Sequence, residues 1–92
     1  MKILQTKPFE KSVGKLHKNA KTDLDKAIEA LAENPLCGEM KKGDLAGIRV
    51  YKFKMVGQLT LLAYLYDGNA LVLTLLMLGS HENFYRDLKN RK

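Results

Sequence analysis

The chain has 92 residues, 46% hydrophobic and 28% charged, enough for one modest core but not two, so a single domain over residues 1–92 is expected. Sixteen basic side chains against 10 acidic ones give a net charge of +6, which favours a polyanionic or acidic partner without choosing among nucleic acid, an anionic membrane and an acidic protein. Cys37 is the only cysteine, which excludes an intramolecular disulfide and a thiolate metal cluster.

Lys2 to Thr6 suits a short edge strand, and it is too poor in apolar residues for a secretory signal. Pro8 fits the first turn of a helix, where its missing N–H costs nothing. Phe9, Val13, Leu16 and Ala20 follow at spacings of four, three and four, the apolar stripe of a helix, with Lys11, Lys15, His17 and Lys18 on its solvated side. Lys18-Asn19 is expected to break this helix. Thr22 and Asp25 resemble a capping box, and Leu24, Ala27, Ile28 and Leu31 form a second stripe, closed by Asn34-Pro35. The two helices make an αα-hairpin able to cover one face of a sheet.

Leu36 to Ala46 carries two glycines and mixed charge and is read as an irregular connector. A strand follows from Ile48 to Met55. Its period of two puts Ile48, Val50, Lys52 and Lys54 on one face and Tyr51, Phe53 and Met55 on the other, where they can pack under a helix. Val56-Gly57-Gln58 makes a turn, Leu59 to Tyr66 a second strand, and Asp67-Gly68 a hairpin signal. Ala70 to Leu78 is apolar on both faces, as in a central strand covered on both sides or one whose second face is buried by a partner. It is far too short to cross a bilayer as a helix, so the chain reads as cytosolic with no membrane partner. Ser80 can cap a short terminal helix. The expected fold class is α+β: a short N-terminal strand, an αα-hairpin on a three- to four-stranded, mainly antiparallel sheet, and a short C-terminal helix.

No metal-ligand spacing and no glycine-rich phosphate loop is present, so neither a metal nor another cofactor is expected. The groups suited to metal-free acid–base and phosphate chemistry are Lys52, Lys54, His81 and Tyr85, with Arg49 and Arg86 close in sequence and Lys41 and Lys42 adding positive field. Tyr51 and Tyr85 can also stack on a base. Each has a plainer reading. The lysines can guard a strand against aggregation, His81 can be a polar residue at a helix start, and Tyr85 can pack beside Phe84. The residues alone leave both readings open.

The order of elements resembles the bacterial RelE/ParE toxin superfamily over nearly the whole chain. Tyr51-Lys52-Phe53-Lys54 is similar to the Tyr-Lys-aliphatic-Lys strand of RelE ribonuclease toxins. Asn34-Pro35, Leu45-Ala46-Gly47 and the ending Leu78-Gly79-Ser80-His81-Glu82-Asn83-Phe84-Tyr85-Arg86 also fit. The resemblance, closest to the RelE-like mRNA interferases, implies the toxin of a type II toxin–antitoxin pair that cuts mRNA in the ribosomal A site by attack of a 2′-hydroxyl. Its partners would be a small acidic antitoxin, the ribosome and mRNA, with the toxin a monomer or small oligomer inside its antitoxin complex. By position it implies Lys54 as general base, Lys52 as stabiliser of transition-state charge, His81 as general acid or phosphate ligand, and Tyr85 as a substrate-orienting ring. Arg49, Lys41, Lys42 and Arg86 would supply RNA contacts. The sequence departs from the pattern at Leu59-Thr60-Leu61-Leu62, where these toxins usually carry an arginine. That departure keeps two alternatives alive: a ParE-like inhibitor of DNA gyrase that hydrolyses nothing, and a basic binding domain without toxin activity.

Overall fold

The computed structural model describes residues 1–90, and of residues 81–83 the backbone alone. Strand β1 (Lys2–Gln5) leads into helices α1 (Lys7–Gly14) and α2 (Lys18–Glu33). A two-residue strand β2 (Glu39–Met40) and a 3-10 turn at Gly43–Leu45 precede β3 (Arg49–Met55), β4 (Gln58–Asp67), β5 (Val72–Gly79) and helix α3 (His81–Lys89). The five strands lie in the order β1-β5-β4-β3-β2. Only β1 runs parallel to its neighbour, Lys2 to Gln5 pairing with Val72 to Leu75. The sheet gains its fifth strand because the connector read as irregular contributes β2, whose Glu39 and Met40 pair with Val50 and Arg49.

The helix boundaries differ from those read in the sequence, and local hydrogen bonds explain why. Thr6 caps α1, its hydroxyl accepting from the Phe9 N–H and donating to the Leu76 carbonyl of β5. The break falls at Lys15–His17, so Ala20 belongs to α2 and His17 is that helix's N-cap residue rather than a helical one. Thr22 caps nothing; its hydroxyl donates back to the Lys18 carbonyl one turn earlier. The expected close of α2 at Asn34-Pro35 holds.

Each face of the sheet has its own core. On one, Phe9 of α1 and Leu24 and Leu31 of α2 pack on Leu62, Tyr64, Leu73, Leu75 and Leu78, with Tyr51, Phe53 and Met55 at the margin. On the other, Phe84 and Leu88 of α3 and Leu45 of the 3-10 turn pack on Ile48, Val50, Leu61, Ala63 and Leu76. Strand β5 serves both because of a bulge: Ala63 pairs with Met77 and Tyr64 with Leu75, so Leu76 is skipped. The extra residue re-phases the alternation and turns Leu76 toward α3 and Leu78 toward α1 and α2.

The β3–β4 turn is strained. Val56 and Gly57 occupy its two central positions with φ of 51° and 77°. A two-residue hairpin needs positive φ at both, which suits glycine but not a β-branched residue. The Val56 N–H donates to the Asp23 carboxylate of α2 at 2.8 Å, tying the hairpin tip to the helix layer. Asp67-Gly68 does not form a turn of that kind. Asp67 ends β4 and its carboxylate accepts from the N–H groups of Asn69 and Ala70, so β5 begins at Val72 rather than Ala70. No helix among the described residues is long and apolar enough to cross a membrane.

Candidate active site

Directly paired residues in an antiparallel ladder share a face. Glu39 pairs with Val50, and Val50 lies in the core beneath α3. Alternation then brings Glu39 of β2 and Lys52 of β3 to the α3 side of the sheet. Lys52, exposed, lines a shallow groove with Cys37, Glu39, Val50 and Tyr51. Lys41 follows β2, and its ammonium donates to the Glu39 carboxylate in a short ion pair. The same ammonium stands 5.0 Å from the centre of the Tyr85 ring, a cation–π contact that joins β2 to α3. Tyr85 is set by Phe84, whose ring meets it edge-on at 5.3 Å and 88°. Phe84 itself is buried, with its ring near Gly79.

The electrostatics follow from these contacts. The hydrogen bond from Lys41, then its charge, and in smaller part the charge of Lys52, hold the Glu39 carboxyl below its ordinary pKa. The bond to Glu39, followed by that to Tyr85, raises Lys41. At neutral pH the groove therefore presents an ionised carboxylate beside a firmly charged ammonium. Such a pair can accept a proton at one point and steady an anion at the next.

The structure gathers some of the sequence-derived candidates and separates others. Lys41, Lys52 and Tyr85 come together. Lys54, two residues on in β3, keeps the face of Lys52 by the same alternation, and it also borders a second groove with Asp23, Lys26 and Ala27 of α2 and Tyr51 and Phe53. Lys42 is exposed where it caps the 3-10 turn, and Arg86 is exposed on α3 beside Asp87. Arg49 is a correction. It pairs with Met40 and shares its face with Tyr51, opposite Lys52, and its Nη1 donates to the carbonyls of Leu36 and Gly38. Its guanidinium is engaged with the chain, not offered to a phosphate on the α3 face. The His81 side chain lies outside the described residues. Its backbone does not: Lys52 pairs with Leu61 and Leu61 with Gly79, so the chain lies roughly two strand spacings, ~10 Å, from Lys52 at Gly79, two residues before α3 begins. Leu61, in the stretch that lacks the expected arginine, is fully buried between them.

Glu39 is the residue that sequence reasoning missed. It sits in a polar stretch without periodicity, and only the Glu39-Met40-Lys41 alternation, which puts an acid and a base on one side of an extended segment, signalled it.

The same fold occurs in solved toxin structures. The chain is similar to RelE in the intact RelBE toxin–antitoxin complex of E. coli, with 18% identity over 88% of this chain and 96% of that one and a TM-score of 0.71. It is equally similar to a YoeB/ParE toxin from Agrobacterium tumefaciens, with 18% identity, 88% and 99% coverage and a TM-score of 0.71. A conserved hypothetical protein from Helicobacter pylori shares 28% identity over 88% and 94%, with a TM-score of 0.59. Among curated proteins no sequence matches. The family model for ParE-like toxins of type II bacterial toxin–antitoxin systems matches residues 3–89. The chain belongs to that family and is a RelE/ParE superfamily toxin.

Proposed function

We propose that this toxin is a metal-independent endoribonuclease that enters the ribosomal A site and cuts mRNA there, stopping translation in the cytoplasm. The observation that supports this is a groove lined by one ionised carboxylate, Glu39, and one cation, Lys52, with Lys41 joining Glu39 to the Tyr85 ring beside it. In this reading Glu39 takes the proton of the RNA 2′-hydroxyl. The 2′-oxygen bonds to the adjacent phosphorus as the bond to the 5′-oxygen breaks, leaving a 2′,3′-cyclic phosphate and a 5′-hydroxyl. Lys52 and Lys41 steady the added charge on the phosphoryl oxygens. Tyr85 stacks on a base, and His81, at the start of α3, delivers the proton to the leaving oxygen.

Glu39 replaces Lys54 as the proposed base for two reasons. A lysine takes a proton only from its neutral form, whereas Glu39 is held ionised. Lys54, though on the face of Lys52, borders the groove beside α2 rather than the one that Glu39 lines. Lys54, Lys42 and Arg86 then serve as exposed contacts along the RNA backbone. Mapping transcript 5′-ends after induction tests the proposal. Codon-dependent cuts are expected with the native chain and not with Glu39→Gln or Lys52→Ala; undiminished cutting by both variants would remove the groove from the chemistry.

The second reading is a ParE-like gyrase inhibitor. It is favoured by buried Leu61, which leaves no arginine in the row between Lys52 and α3. Intact mRNA with gyrase trapped on cleaved DNA would establish it. Under either reading the partner is a cognate antitoxin, proposed to be small and acidic to complement the +6 charge. Co-expression with the neighbouring reading frame should give one size-exclusion peak rather than two.

A further inference from the structure

Glu39 opens, and Lys41 directly follows, a strand of only two residues, which two ladder positions alone would hold weakly. The segment just before it is fixed from the opposite face of the sheet. Tyr64, wholly buried at the middle of β4, extends its hydroxyl to this segment. That hydroxyl donates to the Pro35 carbonyl at 2.7 Å and accepts from the Gly38 N–H at 2.9 Å. Arg49 adds bonds from Nη1 to the Leu36 carbonyl at 3.2 Å and the Gly38 carbonyl at 2.9 Å. Gly38 closes against the ring so tightly that a Cβ there would lie 2.5 Å from the Tyr64 oxygen and 2.7 Å from its Cε1.

We propose that Tyr64, Arg49 and Gly38 form a clamp that positions Glu39 and Lys41 against Lys52, making Tyr64 a positioning residue for the cleavage proposed above. The clamp ends one residue before Glu39. Tyr64 and Arg49 are ladder partners on the face opposite Lys52, so their side chains act on the groove through the segment that leads into β2. Its hydroxyl is suited to a permanent structural bond: burial, the largest influence, raises its pKa and keeps the proton on the donor to Pro35. The Gly38 contact gives the segment one depth, since any side chain would push the ring or the loop away. The Arg49 bonds fix its lateral position. The Tyr64 ring is part of the core beneath α1 and α2, but that packing needs only the ring; the hydroxyl and the Arg49 guanidinium are spent on the segment before β2.

The catalytic consequence rests on the nuclease reading, and the test separates the two. Tyr64→Phe keeps the ring and removes both bonds. It is expected to lower kcat on the order of ten- to a hundred-fold, the usual effect of small misplacements remote from the reacting atoms, with KM nearly unchanged. In a Glu39→Gln background the same change should have no further effect, because the group being positioned is already gone. Equal losses in both backgrounds would show a general structural role and overturn the proposal. Carbon-13 NMR titration of the Glu39 carboxyl supplies a readout independent of cleavage. Its depressed pKa should rise toward the ordinary value in Tyr64→Phe, and an unmoved titration would refute the clamp. Should the native chain cut no RNA, the nuclease reading fails while this titration still decides the clamp. Arg49→Lys, which loses the fork but keeps a charge, provides the same measurements if Tyr64→Phe does not fold.

Discussion

The two faces of the sheet solve different problems. Beneath α1 and α2, Phe9, Leu24, Leu31, Leu62, Leu73 and Leu75 form a dry core with no ionised group. Beneath α3 the core is just as apolar around Leu61, Ala63 and Leu76, but α3 covers only part of the sheet. At its uncovered edge Lys52 and Glu39 line a shallow groove, with Lys41 paired to Glu39 beside it. The first face carries stability, and the second carries the groove proposed for the chemistry. They communicate where Tyr64 and Arg49 of the first face reach around to hold the strand that serves the second.

That division is open to mutation, and the largest expected effect is on the groove. Glu39→Gln should reduce cleavage by about 10²–10⁴-fold, the range for losing a general base, while the melting temperature stays essentially unchanged because the residue is exposed. Leu31→Ala should behave in the opposite way, costing about 2–5 kcal/mol of stability in denaturant titration with activity per folded molecule preserved. A variant of either kind that lost both properties together would break the comparison. Phe84→Ala marks the boundary between the faces. It should lose about 3–5 kcal/mol and also cleavage, since Phe84 both fills the core and sets the Tyr85 ring.

A subtler effect concerns pH. Lys41 favours the ionised form of Glu39, so the acid limb of kcat/KM should lie below the ordinary carboxylate range. Lys41→Gln removes that preference and should move the limb to higher pH, read from the rate profile between about pH 3 and 6. The smallest effect belongs to the hairpin tip. Val56→Asn relieves a β-branched residue from positive φ and should add about 1 kcal/mol of stability without altering cleavage.

Much of this division was legible in the sequence. The stripe of Phe9, Val13 and Leu16 and the alternation of β3 announced an α+β sheet with helices on one face, while the two-sided apolarity of β5 left open whether the chain itself or a partner covers the other. The bulge at Leu76 was not legible, because an inserted residue in an all-apolar strand leaves no polar marker. The second helix was started late because Thr22 and Asp25 imitate a cap; the deciding bond, from Thr22 to the Lys18 carbonyl, depends on a helix already formed. Strand β2 escaped notice because two polar residues have no period, and Glu39 escaped with it. Arg49 could have been placed by rule, since a period of two sets it with Tyr51, away from Lys52. Its engagement with Leu36 and Gly38 could not, because those acceptors are backbone carbonyls brought near only by the folded chain.

The parallel strand β1 has a consequence for how the chain acquires its shape. Its ladder partner is β5, and the Thr6 hydroxyl meets the Leu76 carbonyl across 70 positions of sequence. During synthesis the first residues therefore wait until the last strand has been made before they can dock. A connection that distant closes late and slowly, with a large entropic cost of bringing its ends together. The expected order of assembly runs from the central hairpin outward, with the amino-terminal edge sealed near the end.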